Sequence, residues 1–241
     1  SNTAMTAENV YMVHAGVNYG RDMTGVLEFI AIIPTMIRIT YLDISGNQIR
    51  STGGRALAQA FHNNCILKVL NIGDNSLNMD TEWSTDLSGV DALAETIPTM
   101  QALQHLDLRQ NEMCATSGRA IAKALRANSV ITTLNLSGNS LSKRSNHNCY
   151  TDVTGLVDIA NTIGTMTALT NLDISCNEIA WAPSGTEASV VGKALAVALR
   201  KNARLERLNV SDNIVENNTL NDWKDFTTDI VDAVIDINKN R

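Results

Sequence analysis

The chain has 241 residues, 44% of them hydrophobic, with a formal net charge of −6 and a pI near 5.2. That apolar content suits one large folded unit and excludes a disordered chain. The acidic balance, with no dense run of Lys and Arg, excludes a phosphate-binding nucleic-acid surface. No stretch approaches the roughly 18 apolar residues of a membrane span.

In chain order, residues 1–5 (SNTAM) read as an expression scar, and 6–241 as a single domain. No secretory leader is expected, and the longest apolar candidate, Val26 to Ile39, is broken by Glu28, Pro34 and Arg38. One phrase then recurs: an aliphatic residue, two variable, Leu, a variable residue, an aliphatic residue, two variable, then Asn. A worn copy, VYMVHAGVN, ends at Asn18. Clear copies end at Asn47, Asn75, Asn111, Asn139, Asn177 and Asn213, giving seven repeats at intervals of 29, 28, 36, 28, 38 and 36.

Each part of the phrase has a physical job. Leu42 and Ile44 alternate with Asp43 and Ser45, the period of a half-buried strand. The asparagine turns the chain, its amide bonding backbone groups that a tight turn leaves unpaired. Stacked copies place these amides in a ladder, and removing one is expected to cost about 1–3 kcal/mol. After the turn comes a helical period, with Leu57 and Phe61 four apart, as are Ile121 and Leu125. No unit buries its own apolar face; stacking does, at roughly 1.5–3 kcal/mol per aliphatic side chain.

With this phrase the chain resembles leucine-rich-repeat proteins, in particular the ribonuclease-inhibitor-like class with a helix in each repeat. The resemblance implies an α/β fold: a right-handed βα solenoid, or horseshoe, with a parallel sheet on the concave face and helices on the convex face. Three repeats depart from the regular 28–29-residue spacing by roughly eight to ten residues.

The repeats alternate between two types. Odd helices end at Met36, Met100 and Met166 and carry Glu28, Asp91, Glu95 and Asp158 without Lys or Arg. Even helices end at Asn64, Asn128 and Asn202 and carry basic residues, among them Arg55, Arg126 and Arg200. Stacking sets each acidic helix between basic ones, an arrangement suited to fixing register because exposed pairs contribute only about 0–1 kcal/mol each. From Asp222 an apolar stripe (Phe226, Ile230, Val234, Ile237) predicts a capping helix over 222–239.

Function is expected on two surfaces. On the concave face the central strand positions are His14, Asp43, Asn71, Asp107, Asn135, Asp173 and Asn209, a row in which neutral Asn separates the carboxylates and which is read as no metal site. The departures from the usual residues there are Tyr41, His105 and Arg207, two before the centre, and Arg109, two after it. With Asp107 they form the expected partner-binding set, because Tyr and Arg bury large contact area with a polar handle. Inserted loops after Leu77, Leu141 and Ala180 leave the repeat at one place and form a rim. That zone holds every Trp: Trp83, Trp181 and, in the final repeat, Trp223, joined by Tyr150. His147 and Cys149 form an isolated pair with no further ligands, and the four cysteines show no C-x-x-C spacing, so reduced thiols in a cytoplasmic protein are expected.

The residues therefore point to a non-enzymatic interaction module: a monomer that binds another protein, with no cofactor, nucleic acid or membrane. The resemblance supplies two alternatives. One is a GTPase-activating protein of the Ran-activator type, with Arg50, Lys143 or Arg144 as the charge donor; the other is a ligand-sensing repeat fragment of a larger receptor.

Overall fold

The computed structural model describes residues 9–11, 24–143, 152–179, 186–213, 227–228 and 230. Seven three-residue strands pair in parallel and in sequence order: β1 (Asn9–Tyr11), β2 (Tyr41–Asp43), β3 (Val69–Asn71), β4 (His105–Asp107), β5 (Thr133–Asn135), β6 (Asn171–Asp173) and β7 (Arg207–Asn209). Helices α1 (Thr24–Ile32), α2 (Arg50–Phe61), α3 (Ser88–Thr96), α4 (Ala115–Arg126), α5 (Thr154–Ile163) and α6 (Thr186–Lys201) follow β1 to β6 in turn. The molecule is an α/β solenoid with its sheet on one face and its helices on the other.

The strands are short because the phrase supplies only one Leu and one aliphatic residue to bury. Leu42, Leu70, Leu106, Leu134 and Leu172 stack along the spine, and Ile44, Ile72, Leu108, Leu136 and Ile174 lie beside them, all buried. The aliphatic residue that opens each phrase (Ile39, Leu67, Leu103, Ile131, Leu169, Leu205) completes the buried layer facing the helices. At four of the turns the chain passes through left-handed residues on either side of the asparagine, at Gly46 and Gln48, Asp74 and Ser76 (φ 55° and 51°), Gln110 and Glu112 (φ 50° and 58°), and Cys176 and Glu178. Non-glycine residues disfavour that conformation, so the asparagine must over-determine it. Asn111 shows how. Its Nδ2 donates to the carbonyls of Ile72, Leu108 and Arg109, and its Oδ1 accepts from the backbone N–H of Asn75 and Leu77.

The same amide bonds link Asn47 to Asn75, Asn75 to Asn111, Asn111 to Asn139 and Asn177 to Asn213. Between Asn139 and Asn177 only the donor half survives: Asn177 Nδ2 reaches Leu136 O at 3.0 Å, while its Oδ1 has no donor among the described residues. Asn18 lies outside the described residues.

The first strand corrects the expected register. The phrase VYMVHAGVN sets His14 beside Asp43, but Tyr11 is the residue paired with Asp43, and Val10 with Leu42. The strand thus starts three residues earlier than the phrase requires. Val10 and Met12 offer the same apolar alternation as Val13 and Ala15, so the phrase alone does not choose between the two registers. His14 therefore does not hold the central position of the row. Of the predicted C-terminal cap, helical Thr227, Thr228 and Ile230 are described, Ile230 buried; the remainder of 222–239 lies outside the described residues.

The two repeat types stack through two different contacts. From an even helix to the following odd one, glycine meets glycine: a Cβ on Gly54 would lie 2.9 Å from Gly89 Cα, and one on Gly118 3.2 Å from Gly155 Cα. Thr96 and Thr162 close these joints by donating to the carbonyls of Ala58 and Ala122. From an odd helix to the next even one, an asparagine bridges. Asn202 Nδ2 donates to the carbonyls of Ile163 and Met166 at 3.1 Å, and Asn128 reaches Ile97 and Met100 in the same way at 3.4 and 3.5 Å.

Candidate functional site

The concave face begins with groups the fold has already used. Asn71 donates to Asp43 Oδ2 at 2.9 Å, Asn135 to Asp107 Oδ2 at 3.3 Å, and Asn209 to Asp173 Oδ2 at 3.0 Å. The row of acids and amides is thus three closed pairs, each joining an even strand to the odd strand after it. The other carboxylate oxygen caps the turn, accepting the backbone N–H and hydroxyl of Ser45 at Asp43 and of Ser175 at Asp173. Among the described residues no group of three or more His, Cys, Asp or Glu side chains is arranged to hold a metal ion.

At Asp107 the usual serine is replaced by Arg109. The backbone N–H of Arg109 still caps Asp107 Oδ1 at 2.9 Å, and its guanidinium pairs with Asp107 Oδ2 at 3.0 Å. The arginine stem runs back over Gly73, where a Cβ would come within 2.9 Å of Arg109 Cγ. Burial pushes the Asp107 carboxyl above its ordinary range, and Asp43 adds to this; the Arg109 and Asn135 contacts oppose it without cancelling it.

Around this pair the sheet carries an open depression of about 410 Å³ with Leu70 and Leu106 in its lining. Tyr41, Val69, His105 and Thr133, one from each of β2 to β5, line it together with Asn71, Asp107 and Asn135. The expected residues Tyr41, His105 and Asp107 are therefore brought together, with Arg109 at their edge. Arg207 is exposed on β7, three strands from His105 and roughly 14 Å along the sheet. Val69 and Thr133 were not singled out by sequence; they occupy the strand place of Tyr41 and His105, and aligning the copies at that place finds them.

On the rim, Trp83 is the described member of the aromatic set; Tyr150, Trp181 and Trp223 lie outside the described residues, as do His147, Cys149 and Arg144. Trp83 sits on a tight loop that Asp80 nucleates by accepting from the N–H of Glu82 and Ser84, with Met79 bridged to Thr85. Arg50, buried to 8% exposure, donates to the carbonyl of Thr81 at 2.9 Å and lies 4.4 Å from the centroid of the Trp83 ring. Trp83 as a whole is 53% exposed. Trp83 is thus a half-open ring on a cationic support.

The loop returns at Asp86, which accepts from the hydroxyls of Ser51 and Ser88 and pairs with Arg55 at 3.4 Å. Burial pushes the Asp86 carboxyl up, but these hydrogen bonds and the Arg55 charge outweigh it and hold the pKa at about 2. Arg50 is consumed by the loop, and Lys143 pairs with Glu178 at 2.6 Å.

Comparison with known proteins agrees with this geometry at one repeat. A family model described as Leucine Rich repeat matches residues 39–58, which span β2, its asparagine turn and the start of α2. No curated protein matches the sequence. Among solved structures, the chain is similar to a leucine-rich-repeat-containing protein, LegL7, from Legionella pneumophila. That match has 17% identity and a TM-score of 0.49, covering 90% of this chain and 69% of that one. A tropomodulin C-terminal domain from Caenorhabditis elegans shows 10% identity and a TM-score of 0.48, over 79% of this chain and 97% of that one. Leiomodin-1 actin-binding site 2 shows 15% identity and a TM-score of 0.43, over 92% and 95%.

Proposed function

We propose that this chain, whose residues 39–58 match a Leucine Rich repeat model, is a non-enzymatic module that holds a partner protein against its concave face and its tryptophan-bearing rim. One observation carries the reading. The structural acids and amides of the sheet face are closed on one another, while His105 and Arg207 are exposed on that face, Tyr41 lines the depression, and Arg109 is held in place at its edge. A rigid depression with aliphatic residues in its lining, bordered by a tyrosine, a histidine and a fixed arginine, matches the chemistry of interface hot spots. Trp83 adds a second anchor already ordered before binding, which lowers the entropy lost on association.

We read the module as a cytoplasmic monomer. Cys65, Cys114 and Cys176 are free thiols, and no helix among the described residues is long and apolar enough to cross a membrane. The test is affinity purification from native cells with the unaltered chain, with a concave variant (Tyr41→Ala, His105→Ala, Arg109→Ser, Arg207→Ser), and with a convex variant (Lys123→Ser). The reading predicts a protein retained by the first and third and lost by the second. A partner set unchanged in the concave variant overturns it.

A further inference from the structure

Helix α1 carries the odd-type contact face with nothing described against it. In α5 that face is Gly155, Asp158 and Thr162, and each meets the preceding even helix α4 or its neighbouring residues. Gly155 lies so close to Ala115 that a Cβ would approach its Cα at 2.8 Å; Asp158 pairs with Arg126 at 3.5 Å; Thr162 donates to Ala122 O and accepts from Arg126 Nε. The same spacing from the glycine, three and then seven residues on, gives Gly25, Glu28 and Ile32 on α1.

Among the described residues a Cβ at Gly25 would meet nothing within 4 Å, Glu28 is exposed, and Ile32 is 43% exposed where Thr162 is fully buried. Glu28 is also the sole ionisable side chain of α1, whose sequence is otherwise TGVL and FIAI. At the position of a buried threonine α1 therefore presents an isoleucine to solvent, beside a glycine that allows close backbone approach and a carboxylate placed as the one that receives Arg126.

We propose that the Gly25–Glu28–Ile32 face of α1 is a second docking surface, distinct from the concave one, for a basic amphipathic helix of a partner protein. That helix carries a small residue where it crosses Gly25 and an Arg or Lys about two turns further on, as Gly118 and Arg126 lie eight residues apart on α4. Charge complementarity selects this occupant. A second copy of α1 would set Glu28 near Glu28, whereas a basic helix of even type supplies the partner that Asp158 already has. The small residue is required because the glycine of the even helix is what lets Gly155 approach; a large side chain there would hold the helices apart.

The test uses the full chain and, as probe, a synthetic peptide of the α4 sequence, Cys114 to Asn128, with NMR shifts and fluorescence anisotropy as readouts. Saturable binding is expected, with shifts centred on Gly25, Glu28 and Ile32. Gly25→Leu is expected to weaken binding at least about tenfold, and since the glycine faces open space this variant folds. Glu28→Lys is expected to weaken it too, and a peptide carrying Arg126→Glu to restore affinity to that variant alone. The concave substitutions leave peptide binding unchanged. The proposal is overturned by any of three results: no shifts at α1 with millimolar peptide, amide-exchange protection on α1 that matches α5 in the free chain, or a self-associated chain whose dimer dissociates on Gly25→Leu.

Discussion

Arg109 lies across Gly73: its Cγ occupies the space into which any side chain at position 73 would project, 2.9 Å from where a Cβ would stand. Ser45, Ser137, Ser175 and Ser211 hold the place of Gly73 and Arg109 in the other repeats, so the missing side chain and the arginine one repeat later are two halves of one feature. Gly73→Ser is expected to displace the Arg109 guanidinium from Asp107 at little cost in stability, about 1 kcal/mol for a pair whose arginine is solvent-screened. The Asp107 carboxyl, already raised by burial, then rises further because its cationic neighbour has moved. A side-chain carboxyl titration by NMR, comparing Gly73→Ser with the unaltered chain, measures that rise.

Asp107 and Asp86 give opposite pH dependences. Asp86 is held at about 2 against an ordinary 3.8, so it binds fewer protons folded than unfolded. Its stabilisation is present above pH 3.8 and is lost as the pH falls toward 2. Asp107 is raised in the folded chain, so its share of the stability falls as the pH rises from the unfolded pKa through the folded one. Asp86→Asn is therefore expected to flatten the loss of amide protection in the 79–85 loop between about pH 4 and pH 2. Asp107→Asn is expected to remove a decrease in stability at higher pH. Hydrogen exchange and urea unfolding across pH distinguish the two.

The asparagine column predicts a graded series. Asn111 is fully buried and its side chain makes five hydrogen bonds, two within its own turn and three to the turn before it, so Asn111→Ala strands several backbone groups at about 1–3 kcal/mol each before relaxation. Asn47 is half-buried, and its Oδ1 has no donor among the described residues, so Asn47→Ala costs less. Equilibrium urea unfolding of both variants orders them; equal losses would contradict a column whose interior members carry more of the stacking.

How much of this was legible in the sequence depends on how local its cause is. The column residues from Asn47 to Asn213, the period-two strands and the alternation of helix types follow from patterns repeated within the chain, and the structure has all of them. The alternation of charge was legible as pattern but not as contact. Arg126 meets Asp158 on the next helix as expected, whereas Arg55 meets Asp86, a residue of the inserted loop ahead of α3. The role of Arg50 had no local signal. It depends on a loop returning thirty residues later to place Thr81 and Trp83 on its guanidinium. The β1 register failed for the opposite reason, since two apolar alternations three residues apart both satisfy the phrase.

Gly155 and Gly25 occupy the same helical position in surroundings that differ, which separates packing from propensity. Gly155→Ala sets a Cβ against the backbone of Ala115 and is expected to destabilise by about 1–3 kcal/mol through overpacking. Gly25→Ala meets open space and is expected to be neutral or to stabilise by up to about 1 kcal/mol through helix propensity. Thermal unfolding of the two single variants checks the sign of each.

The loop beneath Trp83 is held by Arg50, so Arg50→Ala is expected to free it: the indole loses its cationic support and the 79–85 amides lose protection. In a chain with Trp181 and Trp223 replaced by Phe, Trp83 emission shifts to longer wavelength on Arg50→Ala. An unchanged spectrum would show that Asp80 and Asp86 hold the ring without the arginine.

Site-specific photocrosslinking puts the binding face to the most direct trial. A photoreactive residue at position 105, on the concave sheet, is predicted to capture one protein covalently in native cells, and the same residue at position 123 on the convex face is predicted not to. Capture of that protein from position 123 with none from position 105 would contradict the assignment of the concave face as the surface that binds.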